Sequence, residues 1–128
     1  MKILVCDILY NDKKKIIVTC LSKFGKYNVE WMEEVPLMNK EYDIEIEVPS
    51  TLFWRRDIVC SQEQRFSVNT INNITTIMGK LESLDEDGYA VLRLNDDIIT
   101  FMAEGEPFKI GNIISIKVSS LMAFPINY

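Results

Sequence analysis

The sequence predicts an all-β chain of about eight short antiparallel strands, packed as a sandwich or a closed barrel, and two observations predict it. Apolar and polar residues alternate with a period close to two over most of the chain. Gly, Pro, Asn and Asp breaks recur at short intervals between those runs. No helix longer than about three turns is expected from such a pattern. At 128 residues, 48% of them hydrophobic, the chain suits a single domain with one core.

In chain order, residues 2–10 form a strand-like run that ends at Asn11-Asp12-Lys13, and residues 15–21 form a second, rich in β-branched side chains. Together they read as a hairpin. Residues 22–28 read as a loop or wide turn, residues 29–34 as a third strand, and Pro36 as a break. The fourth strand is strictly alternating, with Tyr42, Ile44, Ile46 and Val48 on one face and Asp43, Glu45 and Glu47 on the other. That is the pattern of a sheet buried on one side only. Residues 55–73 are polar and aperiodic and read as a linker with room for a short helical turn or an edge strand.

The clearest local signal follows. Residues 77–84 alternate, Asp85-Glu86-Asp87-Gly88 interrupts, and residues 89–94 return as a hairpin partner. Gly88 supplies the positive φ that such a turn needs. Asn95-Asp96-Asp97 breaks the chain before residues 98–102, and Gly105-Glu106-Pro107 and Ile110-Gly111-Asn112 lead into residues 113–118.

The halves 1–54 and 74–125, joined by 55–73, match by position. Ile8 and Val18 align with Leu81 and Val91 at an offset of about 73, while Trp31, Ile44, Ile46 and Val48 align with Phe101, Ile114, Ile116 and Val118 at about 70. Leu52 and Trp54 correspond to Met122 and Phe124. One four-strand unit used twice gives this match, and shared β alternation gives part of it. Trp31, Ile44, Ile46, Phe101, Ile114 and Ile116 are the expected core.

Several chemistries are excluded or disfavoured. The chain has no histidine, which removes serine–histidine and cysteine–histidine nucleophiles. Neither GxxxxGK[ST] nor GxGxxG occurs, which removes the common phosphate cradles. Cys6, Cys20 and Cys60 are odd in number and widely spaced, so neither a disulfide framework nor a zinc site is expected, and Cys6 and Cys20 read as small buried hydrophobes. Asp85, Glu86 and Asp87 with Asp96 and Asp97 lack the spacing of a calcium loop. No cofactor, metal or catalytic residue is expected. No apolar run is long enough to span a bilayer, and Asp7 interrupts the first apolar stretch too early for a secretory signal, so a cytoplasmic location is expected.

Charge placement is the remaining signal. The chain has a net charge of −5, yet residues 28–48 carry seven acids against one lysine, a net of −6, and residues 82–106 carry eight against one arginine, a net of −7. Lys13, Lys14, Lys15, Lys23 and Lys26 form a separate basic end, and Arg55, Arg56 and Arg65 lie in the linker. Asp43, Glu45 and Glu47 form a same-face row with a spacing of about 7 Å, which repels itself unless a cross-strand lysine or a basic partner lies over it. A basic protein partner is therefore expected, and nucleic acid is not, because nucleic acid is bound by neutralising phosphates with Lys and Arg. The partner-binding set is Trp31, Glu33, Glu34, Asp43, Glu45, Glu47, Trp54, Asp85, Glu86, Asp87, Asp96 and Asp97, with the two tryptophans as anchors.

The stretches Ile77-Met78-Gly79-Lys80-Leu81, Asp87-Gly88-Tyr89, Leu92-Arg93-Leu94, Ile110-Gly111-Asn112-Ile113 and residues 121–125 resemble the strand-and-turn grammar of small OB-like barrels. In size, acidity and lack of catalytic groups the whole chain is similar to the cognate immunity proteins of bacterial toxin–immunity pairs. The first resemblance implies an OB-like barrel in the C-terminal part, without the basic aromatic groove of the nucleic-acid binders. The second implies a protein without catalysis that covers a basic toxin, often a nuclease.

Overall fold

The structure, a computed structural model, describes residues 1–12 and 14–126. The described residues form strands and turns, with no helix among them. The strands are β1 (Lys2–Asn11), β2 (Ile16–Ser22), β3 (Gly25–Trp31), β4 (Glu41–Glu47), β5 (Leu52–Phe53), β6 (Ile58–Cys60), β7 (Ser67–Ile71), β8 (Ile74–Leu84), β9 (Tyr89–Leu94), β10 (Asp97–Glu104), β11 (Ile113–Val118) and β12 (Met122–Pro125). The all-β expectation holds, with twelve strands in place of about eight. β5, β6, β7 and β12 are the additions. They are short, and each is held by a distant partner rather than by a hairpin signal of its own, β7 excepted.

β1, β2 and β3 form an antiparallel meander, β4 returns antiparallel to β1, and β12 fills the gap between β3 and β4. The ring β1-β2-β3-β12-β4 is thus a closed five-strand barrel, compatible with an OB-like barrel. It occupies the N-terminal half plus the last strand, whereas the sequence resemblance lay in the C-terminal part. The second half follows the same path: β8, β9 and β10 form a meander and β11 returns antiparallel to β8. There β5 runs parallel to β10, β6 runs antiparallel to β11, and a bridge between Trp54 and Ile58 joins them. Each set is completed by chain from the other half. Three strand pairs are accordingly parallel rather than antiparallel: β3 with β12, β4 with β10, and β5 with β10. Parallel pairing needs a long crossover, and the exchange between halves supplies it.

β4 joins the two sets. On one side it pairs with β12; on the other, its first residues pair with β1 and its last with β10. Ile44 and Ile46 point inward at 1% and 3% exposure, while Asp43, Glu45 and Glu47 point outward. The other expected core residues, Trp31, Phe101, Ile114 and Ile116, are buried too.

β3 starts at Gly25, earlier than expected, because Lys23-Phe24 is a two-residue turn between Ser22 and Gly25. Tyr27, Val29 and Trp31 then alternate inward. Gly25 has φ +145°, and an added Cβ would fall 2.3 Å from the Val68 carbonyl oxygen, so no side chain fits where β7 crosses this turn. Val68 N–H donates to Phe24 O at 3.1 Å and Asn28 N–H to Thr70 Oγ1 at 2.9 Å. The stretch read as a linker therefore carries two strands, β6 and β7, and β7 ties the two halves together.

The positional matches divide in two, and Leu52 and Trp54 are buried where Met122 and Phe124 are half-buried. Trp31, Ile44, Ile46 and Val48 are buried like Phe101, Ile114, Ile116 and Val118. Val18 is buried where Val91 is only half-buried, and Ile8 is half-buried where Leu81 is buried. For Ile8 and Leu81 the strands are irregular: β1 carries register shifts at Val5/Asp7 and Ile8/Tyr10, and β8 carries one at Leu81/Ser83. An extra residue on one strand turns the following side chains to the other face.

Cys20 is buried, Cys6 is half-buried and Cys60 is exposed. Burial, with Cys6 nearby, pushes the Cys20 thiol up to about 12. At mildly alkaline pH a thiol reagent is expected to label Cys60 at once and Cys20 on the order of a hundredfold more slowly. Equal labelling rates in a stopped-flow assay would mean that β2 does not hold Cys20 inside.

Candidate protein-interaction surface

The sequence-predicted residues fall into four places. Trp31 is 3% exposed and packs edge-on against Tyr42 with ring centroids 5.1 Å apart. With the exposed Glu33 and Glu34, Val35, Pro36 and Pro125 it lines an open cavity of 620 Å³. Trp54 is 6% exposed, with Phe101 and Phe108 rings 6.3 and 5.8 Å away. Both tryptophans are thus core side chains, Trp31 on the inward face of β3 and Trp54 just beyond β5. Trp54 lies beneath the β8–β9 turn, where Asp85, Glu86, Asp87 and Pro107 line a shallow cleft of 270 Å³.

That turn is organised by its own acid. Asp85 Oδ1 accepts from the backbone N–H of Asp87 and of Tyr89, both at 2.9 Å, so this carboxylate fastens the hairpin. Gly88 has φ +92°, and its carbonyl accepts from Ala103 N–H at 2.8 Å. Nearby, Glu82 is held by Arg93 through two hydrogen bonds of 2.9 and 3.0 Å, the bidentate geometry that arginine gives carboxylates. The C-terminal acidic stretch is therefore partly committed to its own fold.

Asp96 of the β9–β10 turn and Asp97, the first residue of β10, meet Asp43 and Glu41 of β4 around an open groove of 580 Å³ that Lys2 and Lys23 also line. The Asp97 carboxylate lies 3.3 Å from the Met1 amino nitrogen. Among the described residues no group of three or more Cys, Asp or Glu side chains has the geometry to hold a metal ion. No helix among them is long and apolar enough to cross a membrane.

Glu45 and Glu47 occupy the fourth place, the outer face of β4. Lys2 stands opposite Asp43 in the β1–β4 register, but its Nζ is directed to Glu41 at 3.9 Å. Among the described residues Asp43, Glu45 and Glu47 form no ion pair. Phe124 and Met122 of β12 lie opposite Glu45 and Glu47. On the other side, the β4–β10 register sets Thr100 beside Glu47 and so Ile98 beside Glu45. Ile98 is 45% exposed. Glu30 flanks Met122 from β3. These apolar neighbours were absent from the sequence reading. In β10 the signal was present, since Ile98 and Met102 share the outward face with Thr100 while Ile99, Phe101 and Ala103 face in.

The basic groups are dispersed and mostly engaged. Arg56 pairs with Asp57 at 3.0 Å and lies 4.2 Å from the Phe53 ring centroid; Arg55 lies 4.3 Å from that of Phe108; Arg65 pairs with Glu63. The Arg56 guanidinium holds the Asp57 carboxyl below its ordinary range. Lys23 sits over Phe24 at the β2–β3 turn, and Lys13 lies outside the described residues. Comparison with known proteins finds no match: no family model, no curated protein and no solved structure is similar to the chain.

Proposed function

We propose that this protein is a non-catalytic binding module that covers a basic protein partner, in the manner of the immunity proteins that neutralise bacterial toxins. The observation that carries this reading is the row of unpaired carboxylates on the outer face of β4. Arg56, Arg65, Arg93 and Lys2 are paired within the chain, whereas Asp43, Glu45 and Glu47 of β4 are not. An exposed same-sign row on a central strand costs self-repulsion in the free protein and steers an oppositely charged partner.

A basic protein encoded by the neighbouring reading frame is the first partner to test. Its association rate is expected to fall about tenfold or more from low to physiological salt, and further when Asp43, Glu45 and Glu47 are all changed to lysine. An association rate indifferent to both salt and charge reversal would overturn the electrostatic reading. The second reading, an OB-like nucleic-acid module, is favoured by one feature, the stacking of Arg55 and Arg56 on Phe108 and Phe53. Firm heparin retention, with oligonucleotide binding lost in Arg55→Ala/Arg56→Ala, would select it.

A further inference from the structure

We infer that the outer face of β4, between β12 and β10, is the docking surface, and that its occupant is a basic protein segment laying arginine or lysine side chains along Glu45 and Glu47. The inference rests on the protein-binding reading above and deepens it by naming the strand face and the chemistry of its occupant. Three arguments carry it: the state of the carboxylates, the character of their neighbours, and the rigidity of the strand.

The acidic patches differ in what their carboxylates already do. Asp85 is consumed by its turn and Glu82 by Arg93, Asp97 lies against the Met1 amino nitrogen, and Glu86, Asp87 and Asp96, though in no ion pair among the described residues, stand on turns rather than on a core strand. Glu45 and Glu47 stand on a strand whose inward neighbours, Ile44 and Ile46, are fixed in the core. Their backbone positions are therefore set before any partner arrives, so little backbone entropy remains to be lost on binding. Their side chains leave β4 about 7 Å apart, the repeat of alternate residues on a strand. Glu30, two strands from Glu47 across Met122, adds a third carboxylate about 10 Å away.

The neighbours specify the cation. Phe124 and Met122 on one side and Ile98 on the other give the carboxylates apolar shoulders. A long side chain whose aliphatic stem lies on apolar surface while its head reaches a carboxylate fits that cross-section, and lysine and arginine are built so. An apolar partner would strip water from Glu45 and Glu47 with no compensation, and a nucleic acid would be repelled. A small hydrated cation would leave the shoulders uncovered. The complementary occupant is a protein segment with at least two long basic side chains.

Two synthetic peptides test this: hexa-arginine, and a hexapeptide of 2,4-diaminobutyric acid, whose ammonium has a two-carbon stem. Binding is measured by calorimetry at low ionic strength, with thermal unfolding confirming that each variant is folded. Glu45→Gln/Glu47→Gln is expected to weaken hexa-arginine binding by about tenfold or more. Ile98→Ser is expected to weaken hexa-arginine binding by about threefold or more while leaving the short-stemmed peptide unchanged. Glu86→Gln/Asp87→Asn, in the other acidic stretch, is expected to change neither. Unchanged binding in the Glu45/Glu47 variant, or loss in the Glu86/Asp87 variant, would overturn the site and leave the basic-partner reading standing. Equal effects of Ile98→Ser on both peptides would overturn the role of the shoulders. Absence of hexa-arginine binding to the wild type would overturn the basic-partner reading itself.

Discussion

Deletion of residues 119–128 is expected to abolish folding of the N-terminal barrel, although its four consecutive strands remain in the chain. Among the described residues β12 alone bridges β3 and β4 in that ring, and its segment brings the buried Leu121 and Ala123. Glu30 N–H donates to Leu121 O at 2.8 Å and Met32 N–H to Ala123 O at 3.0 Å. Without them the edges of β3 and β4 stand open beside an exposed core, and buried backbone groups lose their partners. The result to look for is loss of the cooperative thermal transition with collapse of amide shift dispersion. Because β5 and β6 complete the second set from the N-terminal side, the two sets are expected to unfold together. A truncated chain that keeps one sharp transition would show that the strand exchange does not couple the halves.

Ile46→Ala and Ile116→Ala are each expected to cost roughly 2–5 kcal/mol, read as a lower urea midpoint at constant slope. Ile46 packs in register between Ile99 of β10 and Ala123 of β12, where the two sets meet. Ile116 is fully buried between Ile77 of β8 and Ile58 of β6. Neither site can close over the lost methyl and methylene groups, because both neighbours on each side are themselves fixed in sheet register. Losses below about 0.5 kcal/mol at both positions would mean that these side chains do not face the core.

Much of the fold was legible. β4, β9 and β11 stand at or within a residue of their expected positions, because each is bounded by strong turn residues and alternates strictly. β7 was legible in principle: Ile71-Asn72-Asn73-Ile74 is a two-residue hairpin, with Asn72 and Asn73 at φ 52° and 64°. Both central residues of such a turn need positive φ, and asparagine accepts it. The polar composition of 55–73 masked that signal. Of the candidate site, the carboxylates of β4 were visible by alternation, whereas their apolar flanks were not, since Met122 and Phe124 lie more than 70 residues away in sequence.

The sequence by itself determined the strands that pair with their chain neighbours, the inward faces of β4 and β11, and the two acidic stretches. All of these follow from local alternation and turn chemistry, which act over a few residues. Only the tertiary structure decided that β12 closes the first barrel, that β5 and β6 complete the second set, and that Trp54 is buried. Strand pairing across half the chain depends on which edges remain open once the meanders form, and a short segment such as Leu52–Phe53 or Met122–Pro125 carries too few residues to specify its partner. The same physics separated the acids. Glu45 and Glu47 were left unpaired and set between apolar strands by packing, while Asp85 was drawn into its own turn by the nearest free N–H groups.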